Sequence, residues 1–251
     1  MTGDTAALVL ALFIGVSLGA LGSGGSIVTL PILVYVAGID PKAAVGMSLC
    51  IVGGASLTGC IVHWTQGNFC YRSALMFGAT GVCGSWIGSM GTHLVSSSLL
   101  MLLFSAIMLI VGVRMARSRT AGIEVTGECD VPRCIGAGFV VGLVTGFLGV
   151  GGGFLIVPSL LWFAGLGMKK AIGTSLGIIA INSASGLAGQ LRYSHLDWRI
   201  TGEFLLCGIA GMAFGIAVAK RAPVRVLRSA FSVVVIVVRL AIAWRVLYSL
   251  V

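Results

Sequence analysis

The chain has 251 residues, of which 58% are hydrophobic and only 9% charged, and its mean hydropathy is +1.10. A water-soluble domain of this size is about 25% charged, so composition excludes one and places the chain in a lipid bilayer. The net charge of +9 is then a matter of orientation, because Lys and Arg gather in cytoplasmic loops, and it does not point to a nucleic-acid partner.

In chain order, Thr5 to Leu21 is an apolar run that ends in the glycine cluster Gly22-Ser23-Gly24-Gly25-Ser26. It lacks the basic n-region of a cleavable signal peptide and continues into the cluster, so it is expected to remain in the membrane. A helix over the next run, Ile27 to Ala37, would be roughly 17 Å long, too short to cross about 30 Å of hydrocarbon. Gly38-Ile39-Asp40-Pro41 reads as a turn, with Asp40 placed to cap the following helix and Pro41 at its first position. Lys42 to His63 is a full span, Trp64 to Arg72 a polar loop with an interfacial tryptophan, and Ser73 to Gly91 and Ser96 to Val113 are two further spans. Arg114 to Arg133 is the long polar stretch. Residues 118–132 are read as a cytoplasmic linker between a first membrane repeat, 1–117, and a second, 133–251.

The second repeat restates the first. At a constant offset of 127, residues 15–49 match residues 142–176 at 15 of 35 positions. The pairs include Gly25/Gly152, Pro31/Pro158, Lys42/Lys169, Gly46/Gly173 and Ser48/Ser175, and the echo continues through Ser56/Ser183, Gly59/Gly186 and Gly84/Gly211. Glycine-rich composition inflates such a count, but an ungapped offset that also pairs proline, lysine and serine marks an internal duplication. The turn around His93 to Ser96 has no Lys or Arg, whereas its counterpart holds Lys220, Arg221, Arg225 and Arg228. Equivalent loops are therefore expected on opposite sides of the membrane. The fold expected is an all-α integral membrane protein of two inverted repeats, each of about five helical segments. In each, the two segments around the glycine cluster form a re-entrant hairpin that enters and leaves on one side. The other reading is a fully spanning first segment and parallel repeats, which would leave the Lys220 cluster outside.

Candidate site residues follow from the glycine clusters. Glycine brings backbone N–H groups close to a solute with no Cβ in the way, and a helix N-terminus adds a partial positive charge. Ser23, Gly24, Gly25 and Ser26 in one half, with Gly151, Gly152 and Gly153 in the other, are thus expected to form two half-sites facing one small polar solute. The plainer reading of these glycines is close helix packing. Ser48, Thr174 and Ser175 lie in the next helix of each half and either contact the solute or bond back to their own backbone. Asn182, mid-span with Ala55 opposite it in the repeat, is either interhelical glue or a site residue. His63 and Gln190, paired by the repeat, read as interfacial anchors, with a proton role for His63 as the alternative. Glu203 reads as a solvated boundary acid, with a coupling role as the alternative, and Arg239 as a side chain that snorkels to the outer interface or, alternatively, pairs with an acid inside. No metal site is expected. Cys129 and Cys134 have no second pair or histidine to complete one, and no cofactor is implied.

The paired motif G-x-x-G-x-G-G-[SG]-x-x-x-x-P, at Gly19 to Pro31 and Gly146 to Pro158, is followed by P-K-x-A-x-G-x-S in one half and M-K-K-A-x-G-T-S in the other. It resembles the TauE/SafE sulfite exporter family, over essentially the whole chain. The resemblance implies a multi-pass transporter of the cytoplasmic (inner) membrane that carries a small sulfur oxyanion or sulfonate, such as sulfite, thiosulfate or sulfoacetate. The copies differ at Ser26 against Gly153 and at Met47 against Thr174. From the residues alone, the expected function is a secondary transporter working by alternating access and coupled to protons or the membrane potential, since the chain has no nucleotide-binding loop. A passive anion channel of the same fold is the near alternative. An intramembrane enzyme is the remote one, because the apolar runs hold almost no Asp, Glu or His. The oligomeric state is not written in the sequence.

Overall fold

A computed structural model describes residues 2–22, 24–117, 131–149, 152–191 and 196–221, and all regular structure among them is helical. In order the helices are α1 (Thr2–Leu21), α2 (Gly24–Tyr35), α3 (Pro41–Thr65), α4 (Tyr71–Gly91), α5 (Ser97–Arg117), α6 (Val131–Leu148), α7 (Gly153–Phe163), α8 (Met168–Gln190) and α9 (Trp198–Arg221), with a 3-10 turn at Thr92–Leu94 after α4. The stretch read as a linker lies outside the described residues, apart from its last two positions, which begin α6. The segment after α9, with Arg239, lies outside them as well. Among the described residues, four helices are long and apolar enough to cross a bilayer: Pro41–Thr65, Val131–Leu148, Met168–Gln190 and Trp198–Val218.

Local chemistry sets the helix ends. Asp40 caps α3 by accepting from the Lys42 N–H at 2.9 Å, with Pro41 in the first turn where its missing N–H costs nothing. Asp197, likewise just before its helix, caps α9 by accepting from the Arg199 and Ile200 N–H groups at 3.0 and 3.1 Å. α1 stops at Leu21 before Gly22, and α6 stops at Leu148 before Gly149. Gly22 and Gly149 have φ of +68° and +66°, a left-handed conformation that a side chain would strain.

Helix directions follow from which residues meet. Gly46 of α3 lies against Gln190 of α8, Gly53 against Ser183 and Gly59 against Leu176, while Gly173 lies against His63. As numbering rises along α3 it falls along α8, so these two helices, which correspond at the offset of 127, run antiparallel. α9 runs parallel to α3, with Gly54 against Leu205 and Gly59 against Met212. α1 runs parallel to α9, with Gly15 against Gly208 and Gly19 against Met212. On the other flank α4 runs parallel to α8, with Gly81 against Asn182 and Gly186 against Ser85, and α6 runs parallel to α4. α1 and α3 therefore point the same way, with α2 returning the chain between them.

The offset reappears contact by contact. Gly84 would place a side chain on the Phe139 carbonyl and the Leu143 N–H, and Gly211 on the Leu12 carbonyl and the Val16 N–H. All three positions in the second set are related to the first by 127. Gly88 meets Leu143 and Phe147 just as Gly215 meets Val16 and Ala20. These are backbone-to-backbone approaches. In a membrane, where lipid tails compete equally for apolar surface, such close packing holds helices together.

Candidate functional site

The two helix breaks sit at opposite ends of the α3/α8 pair. Gly22 abuts Ile172 in the first turns of α8, and Gly149 abuts Val45 in the first turns of α3. Since Gly46 is level with Gln190, the breaks are separated by roughly 25 Å along α8 at about 1.5 Å per residue. The structure does not bring the two glycine clusters onto one point.

Ser23 and Gly151 lie outside the described residues. Gly24 and Gly153 are the first residues of α2 and α7. The side of Gly25 where a Cβ would stand is filled by the Ile14 carbonyl and by Leu18 of α1, and that of Gly152 by Thr145 of α6. Both glycines thus pack into the first helix of their own hairpin. What they can still present to a ligand is backbone N–H at the start of a helix. Ser26 is fully buried on α2.

The hydroxyls of the next helices divide. Thr174 Oγ1 accepts from the Cys70 N–H at 3.0 Å and so ties the α3–α4 turn to α8. Ser175 Oγ donates to the Ile172 carbonyl at 2.8 Å and reaches the Gly22 carbonyl at 3.4 Å, joining α8 to the first break. Ser48, its partner at the offset, is equally buried, but its Oγ has no hydrogen-bond partner among the described residues.

Asn182 is the most informative of the expected residues. It lies in the middle of α8 and is 1% exposed. Neither its amide Nδ2 nor its Oδ1 has a partner among the described residues. The amide occupies the space that a side chain on Gly81 would fill, and Ser85 Oγ donates to the Asn182 carbonyl at 2.7 Å. In the other half the equivalent contact is between Ala55 and Gly208, with no polar group. An unpaired buried polar group costs about 1–3 kcal/mol, and among the described residues the Asn182 amide bears that cost at both its atoms.

Two further unpaired hydroxyls on the α3/α8 pair were not among the expected site residues. Ser56 and Ser183 are fully buried and lack partners among the described residues. Ser183 lies against Gly53, one turn before Ser56 on α3. Their pairing across the repeat was the available signal, the same one that marked Ser48 and Ser175. Ser185 Oγ donates to the Val82 carbonyl at 2.9 Å and, with Ser85, ties α4 to α8.

Polar clusters close both ends of the central pair. Gln190 is buried, and its Nε2 donates to the Lys42 carbonyl at 3.1 Å. His93, in the 3-10 turn, is held below its usual pKa first by burial and then by the Lys42 charge, while a hydrogen bond to Gln190 opposes both. At the other end, His63 is buried against Gly173. Glu203 pairs with Arg199 at 3.3 Å on an exposed face of α9. No group of acidic, histidine and cysteine side chains that could hold a metal occurs among the described residues. Cys134 is disulfide-bonded, which removes its thiolate from metal binding, and Cys129 lies outside the described residues.

Glycine-packed helices, four of them among the described residues long and apolar enough to cross a bilayer, define an integral membrane protein. Comparison with known proteins gives the family. Residues 7–242 match the model described as Sulfite exporter TauE/SafE, and the chain belongs to that family. A protein of Xylella fastidiosa strain 9a5c named Probable membrane transporter protein is 35% identical over 245 residues, covering 95% of this chain and 94% of its own. A second, from strain Temecula1, is 36% identical over 248 residues with the same coverage. The Bacillus subtilis strain 168 protein named Probable membrane transporter protein YunE is 26% identical, covering 83% of this chain and 84% of its own. No solved structure matches the chain. The protein is a multi-pass membrane protein whose work is transport.

Proposed function

We propose that the protein is a secondary transporter that moves small sulfur-containing anions, such as sulfite, thiosulfate or organosulfonates, across the cytoplasmic membrane by alternating access. The two halves are inverted repeats, a reading supported by the antiparallel course of α3 and α8 and by the return of α2 between the parallel α1 and α3. Substrate contacts come from Asn182 and the Ser48 hydroxyl, while the N–H groups of Ser23, Gly24, Gly25 and Ser26 and of Gly151, Gly152 and Gly153 meet the anion at separate points toward the two ends of the α3/α8 pair. Thr174 and Ser175 hold the shape of the site through the bonds they make to the backbone.

The observation that carries the reading is the unpaired Asn182 amide at the middle of the α3/α8 pair. A neutral amide can bind an anion by a hydrogen bond without fixing it, and a carrier must also release what it binds. The test is uptake of labelled sulfite into proteoliposomes. Saturable uptake, accelerated by unlabelled sulfite inside the vesicles and weakened but still measurable in Asn182→Ala, supports a carrier with this site. Non-saturating flux without counterflow overturns the carrier in favour of a passive channel.

A further inference from the structure

Asn182 leaves two different groups unanswered. Nδ2 is a donor and Oδ1 is an acceptor, and both are buried without a partner among the described residues. Unlike a hydroxyl, an amide cannot rotate one atom to serve both ends; its donor and acceptor are fixed side by side in one plane. A hydroxyl adapts to either kind of ligand, so where the amide contacts the ligand it is the amide that sets the preference.

We infer that this centre selects anions that carry a hydrogen-bond donor beside the sulfur oxygens: a hydrogen oxyanion such as hydrogen sulfite, or a hydroxy- or aminosulfonate. The inference rests on the transporter reading above. A sulfur oxygen accepts from Nδ2, and the ligand's own O–H or N–H donates to Oδ1. Fully deprotonated sulfite, sulfate and thiosulfate offer acceptors alone, and each would set a lone pair against Oδ1. Sites built to bond a substrate donor reject analogues that lack it, because their own polar atom is then left unpaired.

Two observations agree with this. The Lys, Arg, Asp and Glu side chains that the structure describes all sit in caps or in the first two turns of a helix, so the described centre has no cation to offset a second charge, and burying a dianion there is costlier than burying a monoanion. The equivalent contact in the other half, Ala55 on Gly208, is apolar, so a chain has one such amide and takes one ligand at it.

The experiment uses the full chain in proteoliposomes at a pH below neutrality, with two competitors of labelled sulfite uptake that differ by one group. 2-Hydroxyethanesulfonate carries a hydroxyl where 1-propanesulfonate carries a methyl. The hydroxyl compound should inhibit about tenfold better in the native protein, one hydrogen bond's worth of discrimination at a buried site. Asn182→Ala, which copies what the other half has at Ala55, should erase that preference. Sulfite uptake at fixed total concentration, with equal pH on both sides of the membrane, should fall as pH rises through neutrality and hydrogen sulfite is lost. Equal inhibition by the two sulfonates in the native protein overturns the inference and leaves the transporter reading standing, as does an unchanged preference in Asn182→Ala. If neither sulfite nor any sulfonate is taken up, the transporter reading falls and the inference falls with it.

Discussion

Ser175 reaches from α8 to the Gly22 carbonyl at the first helix break, whereas Ser48, its partner across the repeat, has no bonded partner among the described residues. The same residue type at equivalent positions is thus used once as a brace and once left open. Ser175→Ala should lower stability by ~1 kcal/mol or less, because its 3.4 Å contact is long and its local bond to Ile172 is exchangeable for other solvation. Ser48→Ala removes no bond and should leave thermal stability undiminished or raise it by up to ~1 kcal/mol, since an unpaired buried hydroxyl is itself a cost. A measurable loss of sulfite affinity in Ser48→Ala with undiminished stability would place Ser48 on the ligand. Unchanged affinity would remove it from the site.

The glycine contacts between helices make a sharper stability test. Gly146 approaches the Ser85 backbone, and a Cβ there collides with the main chain, which cannot move aside like a side chain. Gly146→Val should therefore separate α4 from α6 and prevent accumulation of folded protein, a cost above about 3 kcal/mol by the overpacking rule. Gly136 lies on the same helix with nothing near its Cβ position. Gly136→Ala should be neutral or stabilising by up to ~1 kcal/mol, through the helix preference of alanine over glycine. Thermal melting of the purified protein by fluorescence-detected gel filtration separates the two outcomes.

Much of this architecture is legible in the sequence. The offset of 127 announces the duplication, because glycine pairs such as Gly84/Gly211 and Gly88/Gly215 serve the same backbone contacts in both halves. The Asp40 cap was readable because a carboxylate before a proline has one obvious use there. The distance between the two breaks was not readable. A glycine cluster shows that a helix ends, but where that end lies along α8 depends on how deep α1 and α6 reach, and their packing on α9 and α4 fixes that. Ser56 and Ser183 escaped for a related reason: whether a membrane hydroxyl bonds its own helix, as Ser175 does, or stays unpaired depends on its neighbours.

Helix directions, with the charge pattern of the loops, predict membrane sidedness. Because α3 and α8 run antiparallel, Asp40 and Lys170, near the starts of these helices, should lie on opposite faces. Single cysteines at these positions, on a background without native cysteines, should be labelled by an impermeant reagent from opposite sides, with Asp40 outside. Labelling of both from one side would refute the inverted arrangement.

His93 gives a pH signature outside the spans. Its folded pKa is lowered from 6.5 by burial and by Lys42, so the folded state binds its proton less readily than the unfolded chain. The sign is then fixed. Stability from this residue is full above pH 6.5 and falls as pH drops through the folded value, where the imidazole must charge beside Lys42. His93→Gln keeps hydrogen bonding toward Gln190 and has no proton to gain, so its melting temperature should fall less than that of the native protein as pH is lowered from 7 to below 6.5. Parallel decline in both proteins would assign the acid sensitivity elsewhere.

The glycine clusters call for a test that separates packing from ligand contact, and Gly25→Val alone does not provide it. The valine side chain would meet the Ile14 carbonyl and Leu18, so the hairpin should fail and the protein should aggregate, whatever the role of the Gly25 N–H. Gly152→Val should behave the same way against Thr145, with added strain because Gly152 has a φ of +66°. Ser26→Gly is the cleaner change. The second half already has glycine at the matching position, Gly153, which is the first residue of a formed helix, so the fold should tolerate it. What is lost is one buried hydroxyl. If that hydroxyl touches the substrate, affinity should fall by ~1 kcal/mol, or about five-fold, with folded yield preserved. If Ser26 serves packing alone, the melting temperature should move and the affinity should not. Binding is read by the thermal shift that sulfite produces on each purified variant, since a ligand that binds only the folded state raises apparent stability in proportion to its affinity. An unchanged sulfite shift in Ser26→Gly, beside a lost one in Asn182→Ala, would move the binding centre from the helix breaks to the middle of the α3/α8 pair.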